Sequence, residues 1–218
     1  MVKIKLIEIL FLAATFLPSI ILHEYAHAAV AYLLGDPTAK LNNRLSFNPL
    51  NHLDFFGTLV IFFIKIGWAK PVPVNPRNFA YPRRDMALVA LAGPLANFIL
   101  AFLAGIALSS LDYFINFAAL KNNIIYIAVF FEYLLKINVV LAIFNLIPIA
   151  PLDGSSIVRF LVPKKFRLYW HEFEEKGPLI LIIIIGFQLF FNLSIFAYLI
   201  HYPASKLTSL ILLICNFS

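Results

Sequence analysis

The sequence predicts an all-α polytopic membrane protein with four to six transmembrane helices and a short re-entrant hairpin. Two observations predict this fold class. Of the 218 residues, 62% are hydrophobic and only 13% are charged, whereas a soluble domain carries about a quarter charged residues. Apolar runs also recur at lengths near the roughly 20 residues that a bilayer-spanning helix needs. We therefore expect a single membrane-embedded domain over residues 1–218, with the lipid bilayer of a cell membrane as its surroundings.

Four apolar runs are long enough to span. The first ends at Gly35-Asp36-Pro37, the second follows a proline-rich loop, the third ends at the prolines Pro148 and Pro151, and the fourth follows a polar stretch; they cover residues 4–34, 86–111, 124–147 and 179–200. Two apolar pieces are shorter. Residues 55–67 predict the re-entrant hairpin, and residues 207–215 predict a surface-lying helix or half a span. Membrane helices thus occupy the C-terminal part, about 179–216.

The basic residues predict an orientation in the membrane. Of the 17 Lys and Arg residues, seven fall in residues 35–85 and five in residues 159–176. The positive-inside tendency then places both regions on the cytoplasmic side. A net charge of +6 in a soluble protein would suggest nucleic acid. Here the charges occupy short loops between apolar runs, so we expect no nucleic-acid partner.

The sequence His23-Glu24-Tyr25-Ala26-His27 near the end of the first run carries the chemistry. Positions i and i+4 share one helix face, so both imidazoles can point at a single ion. Ionisable groups inside a membrane helix are costly and are functional candidates by default. Catalytic zinc takes three protein ligands and activates a water in its open position. The motif therefore predicts one Zn²⁺ per chain, with Glu24 beside it as the general base.

Two histidines leave one ligand to be found. A cysteine cluster is excluded, because the chain has only Cys215. The strongest candidate is Asp153, because the two prolines before it cannot continue the third helix and would re-aim the chain inward. Gly154 then permits a turn or a close backbone approach. The orientation places Asp153 at the same membrane depth as the two histidines. Other candidates remain open at this point, among them Asp54, His52 and His171.

Several motifs together resemble the site-2 protease family of intramembrane zinc metalloproteases, in its bacterial and archaeal form. They occur in order over about residues 15–160: the His23–His27 motif, GWAKPVPVN at 67–75, AGPLAN at 92–97 and NLIPIAPLDG at 145–154. Family members commonly have a second glycine after the last motif, where this chain has Ser155. No stretch is long enough for the PDZ or CBS domain of many relatives, so gating by such a domain is not expected.

The resemblance implies specific roles for site residues. Zinc would be held by His23, His27 and Asp153, with Glu24 as the catalytic base in a core of about residues 4–160. Asn145 would hydrogen-bond the carbonyl oxygen as it gains charge. The implied activity is endopeptidase cleavage of transmembrane or juxtamembrane segments of other membrane proteins, at a site toward the cytoplasm.

Two other functions fit parts of the pattern. A membrane zinc-binding or scaffold protein without proteolysis would need no base at Glu24 and would prefer four protein ligands. A channel or transporter would distribute its polar residues through the bilayer depth, whereas here they cluster toward one side.

Polar residues outside the motif have plainer expectations. Asn97 either supports the zinc site or bonds across helices. Glu132 and Lys136 predict an i,i+4 ion pair. His52 predicts a surface histidine.

Overall fold

Long α-helices make up most of the chain. The computed structural model describes residues 2–54, 70–115, 121–191 and 197–215. Within these ranges the α-helices, in chain order, are α1 (Val2–Leu33), α2 (Thr38–Leu41), α3 (Pro82–Ile115), α4 (Lys121–Asn145), α5 (Asp153–Leu161), α6 (Arg167–Phe191) and α7 (Tyr202–Cys215). The all-α fold class is confirmed. The predicted hairpin at 55–67 lies outside the described residues.

Three helices are long and apolar enough to cross a membrane within the described residues: Pro82–Leu111, Ile124–Asn145 and Tyr198–Cys215. The first two match the predicted second and third spans closely. The helical backbone of α1 coincides with the predicted first span, and α6 covers the first part of the fourth. In lipid, a helix satisfies every backbone polar group internally, which is why these apolar runs adopt this structure.

The last helical stretch is longer than its sequence indicated. Apolarity alone outlined residues 207–215, because His201, Pro203 and Lys206 interrupt the pattern before them. The structure continues helically through these residues, from a π-helical turn at Ala197–His201 into α7. Pro203 is the second residue of α7, directly after the π-helical turn. The stretch is thus long enough to span rather than half a span.

The chain groups into two compact units. The first takes its residues from Met1–Ser19, Asn97–Phe144 and Ile182–Ser218, and the second from Ile20–Ala96 and Asn145–Leu181. The prediction that the chain is a single domain with a catalytic core of about 4–160 stays a prediction. All proposed site residues belong to the second unit.

In the first unit, small residues let helices pack closely. Ala101 and Ala104 of α3 are buried against Leu135 of α4 and Ile211 of α7. A Cβ at Gly105 would lie 2.8 Å from the Ile211 side chain and 3.2 Å from Cys215 Sγ. Such close approach is typical of helix packing in membranes. Small residues there let the backbones come together, and van der Waals packing stabilises the association.

A buried polar cluster joins three helices of the first unit. Asn97 of α3 donates from Nδ2 to Asn138 Oδ1 of α4 at 2.7 Å, and Asn138 Nδ2 donates to Ser19 Oγ of α1 at 2.7 Å. Ser19 Oγ donates in turn to the Thr15 carbonyl. Cross-helix bonding is one of the two roles expected of Asn97, and the structure shows these bonds. On the same unit, the predicted Glu132–Lys136 ion pair is formed.

In the second unit, α1 ends in a glycine-dependent hydrogen-bonded cap. Gly35 has φ +104°, a conformation that other residues rarely adopt. Its N–H donates to the Tyr32 carbonyl at 3.1 Å, and the Asp36 N–H donates to the Ala31 carbonyl at 2.9 Å. This pair of bonds defines the Schellman motif. Gly35 therefore ends the helix that carries His23 and His27, as its sequence position predicted.

Asp36 connects that helix end to the loop before α3. Its carboxylate accepts hydrogen bonds from the backbone N–H of Thr38 at 3.0 Å, from the backbone N–H of Asn75 at 2.7 Å and from the Asn78 amide at 2.6 Å. Burial alone would raise the pKa of Asp36, but the hydrogen bonds from Thr38, Asn75 and Asn78 hold that pKa below its usual value. The buried carboxylate is thus a fixed anchor for two loops.

Candidate metal centre

Helix α1 presents two histidines on one face. His23 and His27 are buried, and their Nε2 atoms lie 3.1 Å apart with the rings nearly perpendicular. One helical turn separates them, so the i,i+4 spacing produces this convergence directly. Two imidazole nitrogens this close need either a shared proton or a metal cation between them, because their lone pairs would otherwise repel.

Asp153 completes a three-donor group. Its Oδ2 atom lies 3.2 Å from His23 Nε2 and 3.4 Å from His27 Nε2. No other group of three such donors is found among the described residues. The aspartate that was predicted as the third ligand thus lies beside both histidines, although it is 130 residues from His23 along the chain. Its role as a ligand stays a prediction.

The spacing of the three donors fits zinc. Tetrahedral coordination with bonds of 2.0–2.2 Å places any two ligand atoms about 3.3 Å apart. The three observed separations are 3.1, 3.2 and 3.4 Å. Asp153 Oδ2 is buried, yet it makes no well-formed hydrogen bond within the described parts of the chain. A buried carboxylate oxygen that lacks a hydrogen bond is costly unless a cation lies beside it. These three donors therefore suit a divalent ion.

The tautomer of His27 suits metal binding. Its Nδ1 atom lies 2.7 Å from the carbonyl oxygen of Val89 in α3. A carbonyl oxygen can only accept, so Nδ1 carries the proton and Nε2 keeps its lone pair. Outer hydrogen bonds of this kind orient metal-ligating histidines and raise their basicity. No residue type signals this partner in the sequence, because the contact uses a backbone atom.

Gly93 of α3 leaves the space that the histidines occupy. A Cβ at this position would lie 2.4 Å from His27 Nε2 and 2.6 Å from His23 Nε2. No side chain fits there without displacing the rings. The sequence analysis placed Gly93 only within the AGPLAN motif, and it did not predict that this glycine makes room for the two histidine rings.

The segment before Asp153 aims its carboxylate. Helix α4 ends at Asn145, and α5 begins at Asp153 itself, with Leu152 extended before it. A Cβ at Gly154 would lie 2.2 Å from the Leu146 carbonyl oxygen, so the glycine permits the close backbone approach predicted for it. A carboxylate in the first turn also interacts favourably with the helix dipole.

The other two predicted site residues flank the donors in sequence. Glu24 follows His23 in α1 and is half-buried. Asn145 ends α4, next to the Leu146 carbonyl that approaches Gly154, and it is half-buried and engaged in an interaction of its own. Glu24 is thus adjacent to a donor, and Asn145 belongs to the segment that leads to Asp153.

The alternative third ligands do not join the group. His171 is exposed and faces Glu175 at 3.4 Å, and Asp54 is not a member of the donor group. His52 was expected at the surface, and this expectation was wrong. Its side chain is fully buried, with Nε2 2.6 Å from the Ser46 carbonyl, so it fixes the loop after α2. A histidine in a short polar sequence carries no periodic signal of burial, which is why the error arose.

Comparison with known proteins gives two kinds of result. The model of Peptidase family M50 matches residues 11–191, which is most of the chain. The "Putative zinc metalloprotease YwhC" of Bacillus subtilis is 41% identical over 174 residues, covering 80% of this chain and 79% of that protein. The "Putative zinc metalloprotease Rip2" of Mycolicibacterium smegmatis is 28% identical over 177 residues, covering 79% of this chain and 65% of that protein. No solved structure matches significantly.

Proposed function

The chain belongs to peptidase family M50, and we propose that it is a membrane-embedded zinc endopeptidase that cuts transmembrane or juxtamembrane segments of other membrane proteins. The observation that carries the proposal is the group of three donor atoms from His23, His27 and Asp153, mutually 3.1–3.4 Å apart. Names of two relatives describe zinc metalloproteases.

His23, His27 and Asp153 are proposed as the protein ligands of one zinc ion. When bound, zinc lowers the pKa of a coordinated water toward neutrality and polarises a carbonyl oxygen. The chain's own contribution is to fix the ligands before the ion arrives. Val89 holds the His27 tautomer, Gly93 leaves room for both rings, and Gly154 lets α5 start with Asp153 aimed at them.

Glu24 is proposed as the general base. It would take a proton from the attacking water and pass it to the leaving amine. Its position directly after His23 on α1 supports the role, since the same helix turn sets both side chains. A site that only stores zinc needs no base and prefers a fourth protein ligand. The donor group found in the described residues has three members, which favours catalysis over a scaffold or storage role.

Asn145 is proposed to stabilise the developing oxyanion. Its side-chain amide can donate a hydrogen bond to the substrate carbonyl oxygen as that oxygen gains negative charge. The support is its place at the end of α4, which is followed by the short segment that leads to Asp153 at the start of α5. Its role is separable from that of Glu24, because loss of Asn145 should weaken the transition state without removing the base.

The proposed substrates follow from the apolar composition of the chain. Three helices among the described residues could cross a membrane, and only 13% of all residues are charged. A peptide bond presented to this site would therefore come from a segment in or next to the bilayer. Twelve of the 17 Lys and Arg residues lie in regions 35–85 and 159–176, which supports a site toward the cytoplasm.

The test compares wild type with Glu24→Gln, reconstituted in lipid vesicles with a panel of single-span membrane proteins. The variant keeps the side-chain size and all three ligands, so we expect zinc content to be unchanged. Cleavage should fall at least about a hundredfold, the range of general-base contributions. Glu172→Gln, which makes the same change at an exposed position of α6, is the matched control and should cleave normally. Cleavage by Glu24→Gln at the wild-type rate would refute the proposal.

A further inference from the structure

A basic cavity lies in the second unit, apart from the three donor atoms. Its volume is about 250 Å³, and its walls come from the start of α3, the end of α5 and the first turns of α6. Three guanidinium groups line it against a single carboxylate; the charged lining residues are Arg83, Arg159, Arg167 and Glu174. The proposed peptidase activity uses none of these residues.

Two of the arginines are fixed in the wall. Arg83 Nη2 donates to the carbonyl oxygens of Phe160 at 3.3 Å and Val162 at 3.1 Å, where the last turn of α5 leaves carbonyls without helical partners. Arg159 Nε lies 2.8 and 2.9 Å from the two oxygens of Glu174. Glu174 is buried and also accepts from Ser155 Oγ at 2.6 Å. Its charge is therefore already used within the wall.

Two other polar groups of the lining have no such partners. The exposed guanidinium group of Arg167 makes no hydrogen bond or ion pair with the residues that the structure describes, and the buried Nε1 of Trp170 has no hydrogen-bond partner there. His171 also lines the cavity, with its Nε2 3.4 Å from Glu175. An orphaned buried donor is costly. Together these groups would satisfy the oxygens of a compact anion.

The rim of the cavity is both basic and apolar. Lys164 and Lys165 precede Arg167, and the neighbouring Phe166, Leu168 and Tyr169 are exposed, the last two by more than two thirds of their surface. Aromatic and basic side chains alternating in this way are typical of protein segments at a membrane–water interface. The rim therefore favours a ligand whose anionic group is attached to a lipid.

We propose that this cavity binds the phosphate group of an anionic membrane phospholipid, with Arg167 as its principal unpaired cation. Guanidinium groups match phosphate oxygens in geometry as well as charge. Clusters of Lys and Arg beside a membrane helix attract anionic lipids. The rim residues lie among the basic residues 159–176, which are proposed for the cytoplasmic side, where anionic lipids are enriched.

The cavity also shares α5 with the proposed metal site. Asp153 begins this helix, and Ser155 and Arg159 on it contact Glu174. Lipid binding at one end of α5 would thus stabilise the helix that positions Asp153. Binding itself does not depend on the proposed hydrolysis, so it can be tested without it.

The test uses a tryptophan in the cavity as the reporter. The chain has two tryptophans, so Trp68→Phe leaves Trp170 as the single fluorophore. The full-length protein carrying Trp68→Phe and Glu24→Gln is purified in neutral detergent. It is titrated with phosphatidylglycerol, with phosphatidylcholine and with inorganic phosphate. We expect a saturable change in Trp170 fluorescence with phosphatidylglycerol alone.

Two variants distinguish binding in the cavity from a general effect of the protein's positive charge. Arg167→Gln should weaken phosphatidylglycerol binding about fivefold, since one basic residue near an anionic surface contributes about a factor of that size. Arg77→Gln removes one exposed positive charge from the loop before α3 and should leave binding unchanged. Circular dichroism of each variant checks that the helical content is retained.

Three outcomes would overturn the proposal. Equal responses to phosphatidylglycerol and phosphatidylcholine would show that the segment senses lipid without a phosphate site. Equal saturation by inorganic phosphate would assign the site to soluble anions. Equal weakening by Arg167→Gln and Arg77→Gln would show that net charge alone governs binding. None of these outcomes bears on the proposed peptidase activity, because the titrated protein lacks Glu24.

Discussion

At the residue scale, the side chains that form the site could be predicted from the sequence. The atoms that surround and orient them could not. The spacing of His23, Glu24 and His27 predicted a shared helix face, and the structure places the two imidazole nitrogens 3.1 Å apart. Asp153 was selected on the prolines before it, and it lies within 3.4 Å of both rings. Side chains with chemical identity and periodic spacing were therefore predictable.

The residues whose roles were not predicted act through a backbone atom, through the lack of a side chain or through burial in a loop. Val89 contributes a carbonyl oxygen, which every residue has, so no residue type could signal it. Gly93 contributes empty space beside the rings. His52 lies in a loop, where burial has no periodicity, and its full burial was not foreseen. Such contributions follow from tertiary packing and are not encoded locally.

Gly93→Ala tests the claim that space beside the histidines is essential. The added methyl group would lie 2.4–2.6 Å from three ring atoms of His23 and His27, so one or both rings must move. A displacement of about 1 Å at a catalytic group can lower activity about a hundredfold. We expect a loss of that size in cleavage, with weaker retention of zinc during dialysis against a chelator.

Gly186→Ala is the matched control for this change. It is also a helical glycine, in α6, and a Cβ there meets nothing within 4 Å. This variant should cleave and retain zinc as wild type does. Full activity of Gly93→Ala would mean that the rings do not occupy the positions described.

At the element scale, the ends of helices were the features that local sequence determined best. Gly35 ends α1 through its positive φ, and Pro82 begins α3 at a first-turn position that suits proline. The extent of α7 was underestimated, because its polar first turns interrupt the apolar pattern. Hydropathy indicates which residues can contact lipid, whereas the length of a helix depends on its backbone hydrogen bonds. A helix can therefore extend through polar residues, as α7 does in its first turns.

Asp36→Asn tests the anchor between the end of α1 and the loop before α3. The carboxylate accepts from both Thr38 and Asn75 backbone N–H groups and from Asn78. Replacing it by an amide removes charge-assisted bonds, so we expect the free energy of unfolding to fall by about 1–3 kcal/mol at pH 7. Thermal unfolding in detergent, followed by circular dichroism, measures the change.

The same variant has a pH signature. The pKa of Asp36 is lowered in the folded state by its hydrogen bonds, so its contribution is present above the unfolded pKa of about 4. That contribution is lost as the pH falls through the lower folded pKa. The stability difference between wild type and Asp36→Asn should therefore shrink below about pH 4. A difference that stays constant from pH 7 to pH 3 would contradict the anchor role.

At the scale of the whole molecule, composition predicted the fold class and the distribution of Lys and Arg predicted the orientation. The described helices Pro82–Leu111 and Ile124–Asn145 are long enough to cross a membrane, as their apolar runs indicated. Membership of family M50 agrees with the resemblance seen in the motifs. The side of the membrane that the site faces remains a proposal, because a set of helices has the same internal contacts in either orientation.

Cysteine labelling tests the orientation. Cys215→Ser removes the single native thiol, after which one cysteine is introduced at Arg77 or at Lys121. In intact cells, a membrane-impermeant maleimide should label Lys121→Cys, at the first residue of α4, and leave Arg77→Cys unlabelled. In inverted membrane vesicles the pattern should reverse. Labelling of Arg77→Cys in intact cells would place the basic loop, and the proposed site with it, outside.

The most direct test of the central claim is the zinc content of the purified protein, measured by mass spectrometry for wild type and two aspartate variants. Asp153 lies within 3.4 Å of both imidazole nitrogens, whereas Asp54 does not belong to the donor group. We predict one zinc per chain for wild type and for Asp54→Ala, and close to none for Asp153→Ala. Full zinc occupancy in Asp153→Ala, or its loss in Asp54→Ala alone, would contradict the account.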